Sequence, residues 1–302
     1  MRRRRKRGDG IVPYLYLLPH AILFSVFTVY PVVFGVSVSL HRWNILSPTQ
    51  RWVGLENYLS IFAGGINTDF FWRTLLNTAL FVVIAVPLLV ACALGLALLL
   101  HRQRQGQSFF RTVFFMPAIL SVAVMGLLWR WLFANQTGLI NIVLANSLHV
   151  APVPFLTAVG WAWVPIIVGT VWWSVGFNMI LYVAALQGLP VQYFEAAEID
   201  GARAWRRFRS LTWPLLNPVT LFATTTTIIS SFQLFGQPYV ITSGGPLRTT
   251  QSVIMYITEV AFGRFQFSAA AAMSIVFGLL LLGISALQFR GMVIDLGGRG
   301  ER

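Results

Sequence analysis

Six long apolar runs, near 14 to 40, 75 to 100, 113 to 133, 164 to 186, 215 to 236 and 268 to 289, alternate with short polar stretches along the chain. A helix needs about 20 mainly apolar residues to cross the roughly 30 Å hydrocarbon core of a bilayer, and each run approaches or exceeds that length. Lipid offers no partners to backbone N–H and C=O groups, so helices, which satisfy those groups internally, are the expected form. The pattern predicts an all-α membrane protein with six transmembrane helices over 11–290, a basic tail at 1–10 and a second tail at 291–302.

The polar stretch at 190–213 is unlike a plain connector. Pro190 suits a helix start, Asp200-Gly201 is a strong turn dipeptide and Pro214 opens the fifth run, which predicts two short helices broken at a turn. Ala202, Trp205, Phe208 and Leu211 recur at every third position and form an apolar stripe. The membrane cannot cover a stripe outside its runs, so a soluble partner is expected to. Glu195 and Glu198 precede the turn while Arg203, Arg206, Arg207 and Arg209 follow it, a segregation of charge that fixes one docking orientation.

Composition adds orientation and excludes several activities. With 57% hydrophobic and 10% charged residues, the chain lacks the polar surface of a water-soluble globule. With both termini placed inside, 16 of the 22 Lys and Arg fall on the cytoplasmic side, together with the 190–213 loop, as retention of cations there requires. The run behind Arg2 to Arg7 is too long for a cleaved signal and contains Pro13, Pro19 and Pro31, so the basic tail reads as a lipid-facing topology signal. The net charge of +13 then reports topology, and no nucleic-acid partner is expected. Cys92, the single cysteine, is expected to be a small core residue, with no disulfide framework and no metal site.

Lys6 is the sole lysine, so a phosphate-cradling Gly-Lys-Ser/Thr loop cannot be built here. No Asp or Glu lies within the six runs, which argues against a proton- or ion-driven carrier. His20, in the first run, is expected to be a hydrogen-bonded packing residue. His41, His101 and His149 are scattered, and no nucleophile and base come together in the pattern. The chain reads as a non-enzyme with no cofactor of its own, whose driving force arrives from another polypeptide.

Two patches bear on a solute path. Thr226, Ser230, Gln233 and Gln237 are spaced four, three and four apart on the fifth run, and Trp173, Phe177 and Asn178 give the fourth an aromatic and amide patch. Neutral amides and hydroxyls beside flat rings suit a sugar. Hydroxyls bonded to their own helix, with tryptophans as packing or interfacial residues, are the competing reading, and it is preferred for Trp172. Arg130 is expected to extend to the outer interface rather than to meet an anion. The segment from Gly244 to Phe267 should form a turn and a short helix, Val253 to Phe262, on the external surface.

Glu195-Ala196-Ala197, then Asp200-Gly201-Ala202, Trp205 and Phe208, then Pro214-Leu215-Leu216 resemble the signature loop of permease subunits of binding-protein-dependent ABC importers. Thr242-Ser243-Gly244-Gly245-Pro246 resembles an external motif of the maltose and glycerol-3-phosphate type, with Ser243 where glycine is common. Trp213 likewise stands where an aliphatic residue is usual. Smaller echoes are Tyr30-Pro31, Val53 to Tyr58, Asn77-Thr78, Phe115-Met116-Pro117 and Trp172 with Gly176. The resemblance implies a type I ABC importer permease fold in a bacterial or archaeal cytoplasmic membrane. It implies as partners a second, homologous permease, an ABC ATPase dimer that holds ATP and Mg, an extracytoplasmic solute-binding protein and membrane lipid. Glu195 through Leu211 would couple to the ATPase. Gly244, Gly245 and Pro246, with the loop from Trp43 to Phe71, would meet the binding protein. The solute implied is a sugar, the alternatives being glycerol 3-phosphate or another polyol, or a stand-alone carrier mechanism.

Overall fold

The computed structural model describes residues 12–43, 50–64, 66–102 and 106–297. The basic tail at 1–10 and the end of the second tail, from 298, lie outside the described residues. In chain order the helices are α1 (Val12–Phe24), α2 (Tyr30–Ser39), α3 (Glu56–Phe62), α4 (Ile66–Arg102), α5 (Gln107–Phe115), α6 (Val122–Leu132) and α7 (Leu139–Leu148). There follow α8 (Trp163–Gln187), α9 (Val191–Ile199), α10 (Ala204–Arg207), α11 (Trp213–Phe232), α12 (Gly236–Ile241), α13 (Val253–Thr258) and α14 (Phe267–Gly297). A two-stranded antiparallel ribbon pairs His41 with Trp52 and Arg42 with Arg51.

Five helical stretches are long and apolar enough to cross a bilayer: Tyr14–Ser39, Thr68–His101, Trp163–Gln187, Ala204–Phe232 and Phe267–Arg290. The third run, expected as one helix over 113 to 133, is instead a pair, Gln107–Ile119 and Val122–Leu132, bent by 98°. The break has local causes. Pro117 sits in a 3-10 turn at Met116–Ile119, Leu120 is extended at ψ 142°, and the Ser121 hydroxyl caps the next helix by accepting from Val124 N at 3.3 Å. Counting this pair as one span gives six.

The chain forms two compact units, one comprising the residues through Thr68 with Ile257–Gly278, the other Asp69–Tyr256 with the residues from Leu279. In the first, α1 passes into α2 through a π-helical turn at Ser25–Val29, where Tyr30 N donates to Ser25 O, just ahead of Pro31. Widening the helix there accommodates the proline ring. Asn57 holds the carbonyls of Ser39 and His41 at 2.7 and 3.0 Å, and Tyr58 meets the Ser39 hydroxyl at 2.6 Å. His20 is exposed and stacks on Phe24 at 6.2 Å, with no packing hydrogen bond among the described residues, which corrects the expectation for it.

In the second unit a core joins three spans: Ala93, Leu94 and Ala97 of α4, Met179, Tyr182, Val183 and Leu186 of α8, and Leu216 and Ala223 of α11. α5 approaches α8 closely at Gly176, where a Cβ would stand 2.7 Å from Phe115 Cα. Cys92 packs at the edge of the same core. α13 and the π turn behind it, Glu259–Gly263, form where a short helix was expected, with Val253, Tyr256 and Val260 fully buried and Phe262 exposed.

Candidate functional site

Two regions carry candidate function, a cavity among the spans and the 190–213 loop. The cavity has a volume of about 430 Å³ and collects Trp173, Phe177 and Asn178 from α8 with Thr226 and Ser230 from α11, and Gln233 and Gln237 just beyond. Helical geometry explains the convergence: residues three and four apart share a face, and α8 packs beside α11. Asn178 is buried and donates to Thr227 Oγ1 at 3.1 Å. Trp173 Nε1 donates to Leu120 O at 3.0 Å, the carbonyl freed by the break between α5 and α6. Thr226 and Ser230 donate to Phe222 O and Thr227 O at 2.9 and 3.0 Å. Each of these hydroxyls is therefore bonded to its own helix and also lines the hollow. Trp172 lies outside the lining and meets Trp129 edge-on at 5.7 Å. Phe81 and Ser231 also line the cavity, and neither was singled out in the sequence. Only their placement on the faces of α4 and α11 exposes them.

In the 190–213 loop, Pro190 precedes α9 as its cap residue, and Gly201 makes the turn at φ +68°. α10 is not a separate helix that ends at Pro214. A π turn at Phe208–Thr212, with Trp213 N donating to Phe208 O, carries it unbroken into α11, so Ala204–Phe232 is one 29-residue helix. The wider turn relieves the clash that Pro214 would cause with the preceding carbonyls. Glu198 pairs with Arg207 across the turn, so part of the segregated charge is satisfied within the loop. Glu195 is exposed and has no ion pair among the described residues.

The expected stripe is only partly open. Trp205 is 70% exposed and stacks on Phe208, whereas Phe208 packs against the core of the spans and Ala202 and Leu211 are half-buried. Ala202 lies in the turn before α10, which breaks the three-residue period. The exposed large apolar residues of the loop are Val191, Tyr193, Ile199 and Trp205, with Ile199 at 87%. Ile199, between Glu198 and Asp200, was missed because one apolar residue in a charged stretch makes no period.

The loop after α12 is pinned from α4. Asn77 Nδ2 donates to the carbonyls of Arg248 and Gln251 at 3.2 Å each, and Thr78 Oγ1 accepts from Val253 N at 3.0 Å. Gly244 is buried against Gln251 and Met255, which corrects its reading as a contact residue, and Gly245 and Pro246 are half-buried. The exposed tips are Ser243 and Leu247. Arg130 donates to Val240 O at 3.3 Å, which ties α6 to α12.

Comparison with known proteins gives this geometry a family. The chain is 36% identical to a lactose transport system permease protein of Rhizobium radiobacter over 94% of its own length and 95% of the relative's. It is 29% identical to an sn-glycerol-3-phosphate transport system permease protein of Agrobacterium fabrum, covering 93% and 94% of the two chains. Its fold matches a chain of a bacterial alginate ABC transporter, solved with an alginate-bound periplasmic protein, at a TM-score of 0.79, with 20% identity and 92% of each chain covered. Residues 56–294 match the model of the binding-protein-dependent transport system inner membrane component. The chain belongs to that family, as a multi-pass permease subunit of an ABC transporter.

Proposed function

We propose that this permease translocates a carbohydrate into the cytoplasm, as one of two homologous subunits driven by a separate ATPase pair. The cavity carries the reading. Its amides and hydroxyls match sugar hydroxyls, and the faces of Trp173 and Phe177 match sugar C–H surfaces. Relatives named for lactose, starch degradation products and sulfoquinovosyl glycerol support the same class.

Both termini and the 190–213 loop face the cytoplasm, as the cation bias requires. α9 and the Gly201 turn sit in a groove of the ATPase, where Glu195 accepts from a basic residue and Val191, Tyr193, Ile199 and Trp205 lose their exposure. Because α10 continues into α11 without a break, a push on the loop moves a rigid rod about 44 Å long, at 1.5 Å per residue, that carries Thr226 and Ser230 into or out of the path. ATP-driven closure of the ATPase opens the cavity outward and hydrolysis returns it inward. Ser243 and Leu247 present the outer loop to a solute-binding protein.

The test is uptake by Asn178→Ala and Gln233→Ala variants in the complete importer. A side-chain hydrogen bond between membrane helices is worth about 0.6 kcal/mol on average, so losing Asn178 to Thr227 leaves the fold intact. Both variants should raise the substrate concentration for half-maximal uptake at unchanged protein level. Wild-type kinetics in both would remove the cavity from the solute path.

A further inference from the structure

We infer that the solute passing through this cavity is an uncharged glycoside or polyol, and that phosphorylated and acidic sugars are excluded. The inference rests on the carbohydrate reading above and narrows it. Every residue lining the cavity is neutral. An anion among apolar spans, with no cation beside it, loses hydration that nothing returns. No arginine is among the lining residues: Arg130 donates to Val240 O, the Arg248 guanidinium lies 5.0 Å over the Phe70 ring, and Arg73 of α4 and Arg111 of α5 lie outside the lining.

The cavity's own hydrogen bonds define what its wall offers such a solute. Thr170, Thr226 and Ser230 give their hydroxyl protons to Ile166, Phe222 and Thr227 carbonyls, so each turns an acceptor oxygen to any ligand. Asn178 gives one amide N–H to Thr227 and keeps its second N–H and its Oδ1. Trp173 gives its N–H to Leu120 and keeps only its ring face. The wall therefore presents acceptors and donors together, as sugar hydroxyls, which do both, require. Gln233 and Gln237 remain as amide donors, enough for ring or hydroxyl oxygens.

The experiment uses the assembled importer without its binding protein, so that selection upstream cannot mimic selection in the cavity. In a Cys92→Ala background, Ser231→Cys puts the only cysteine of this chain on the cavity wall. Its labelling by an uncharged maleimide is timed with lactose, maltose and other neutral mono- and disaccharides, and with glycerol 3-phosphate and glucuronic acid. At least one neutral probe should slow labelling about tenfold, the scale on which a pocket discriminates, and neither anion should. Equal or better protection by an anion overturns the charge inference and leaves the cavity as a sugar path. Protection by no probe of either class overturns the sugar path itself.

Discussion

At Gly201 the backbone is left-handed, φ +68°, and nothing lies within 4 Å of where a Cβ would stand. A side chain there adds strain without crowding, and Asp is among the residues that bear such a conformation best. Gly201→Asp is thus compatible with the fold of this chain, and any loss reports a neighbour that is not part of it. Gly201→Asp and Glu195→Lys should each insert normally yet lose ATPase co-purification and ATP-driven uptake. Retained co-purification in both would remove the loop from the interface. The Glu198–Arg207 pair is a poor choice for the same test. It is partly exposed, and such pairs contribute only about 0–1 kcal/mol. Residue reading from sequence succeeded where chemistry is local, as at the Asp200-Gly201 turn. It failed at Gly244, whose burial depends on Gln251 and Met255 folding back over it, and at His20, whose surroundings the sequence does not encode.

The third run shows what hydropathy leaves out at the scale of the element. A window average measures transfer into lipid and is blind to direction, so it registered one span where the chain turns by 98°. Pro117 and the Ser121 cap were visible in the sequence, but apolar residues on both sides masked them. The two π turns that precede Pro31 and Pro214 follow a shared rule: a proline placed one residue beyond a widened turn continues a helix it would otherwise end. Gly176 shows how a broken span is held. A Cβ there would collide with the backbone of Phe114 and Phe115, and backbone cannot rotate away as a side chain can. Gly176→Val should separate α8 from α5 and cost about 1–3 kcal/mol, the range for overpacking. A clear drop in the thermal stability of the detergent-purified protein is expected, and an unchanged midpoint would mean that the approach is not tight.

Across the whole molecule, the six spans, the loop between the fourth and fifth and the amide-bearing faces were legible, because periodicity and length encode them directly. The exposure of Val191, Tyr193, Ile199 and Trp205, on both sides of a turn, was not. Those residues bear on the central claim, that the drive for transport enters through the 190–213 loop from a separate ATPase. The most direct test is ATP-dependent uptake in proteoliposomes containing the complete importer, with this chain either wild type or carrying Ile199→Asp and Trp205→Asp. Both side chains are exposed, and replacing exposed residues usually changes stability by no more than about 0.5 kcal/mol. The account predicts that uptake falls at least about tenfold, the effect of about 1.4 kcal/mol, while the protein remains inserted and paired with its partner permease. Uptake at the wild-type rate would contradict it.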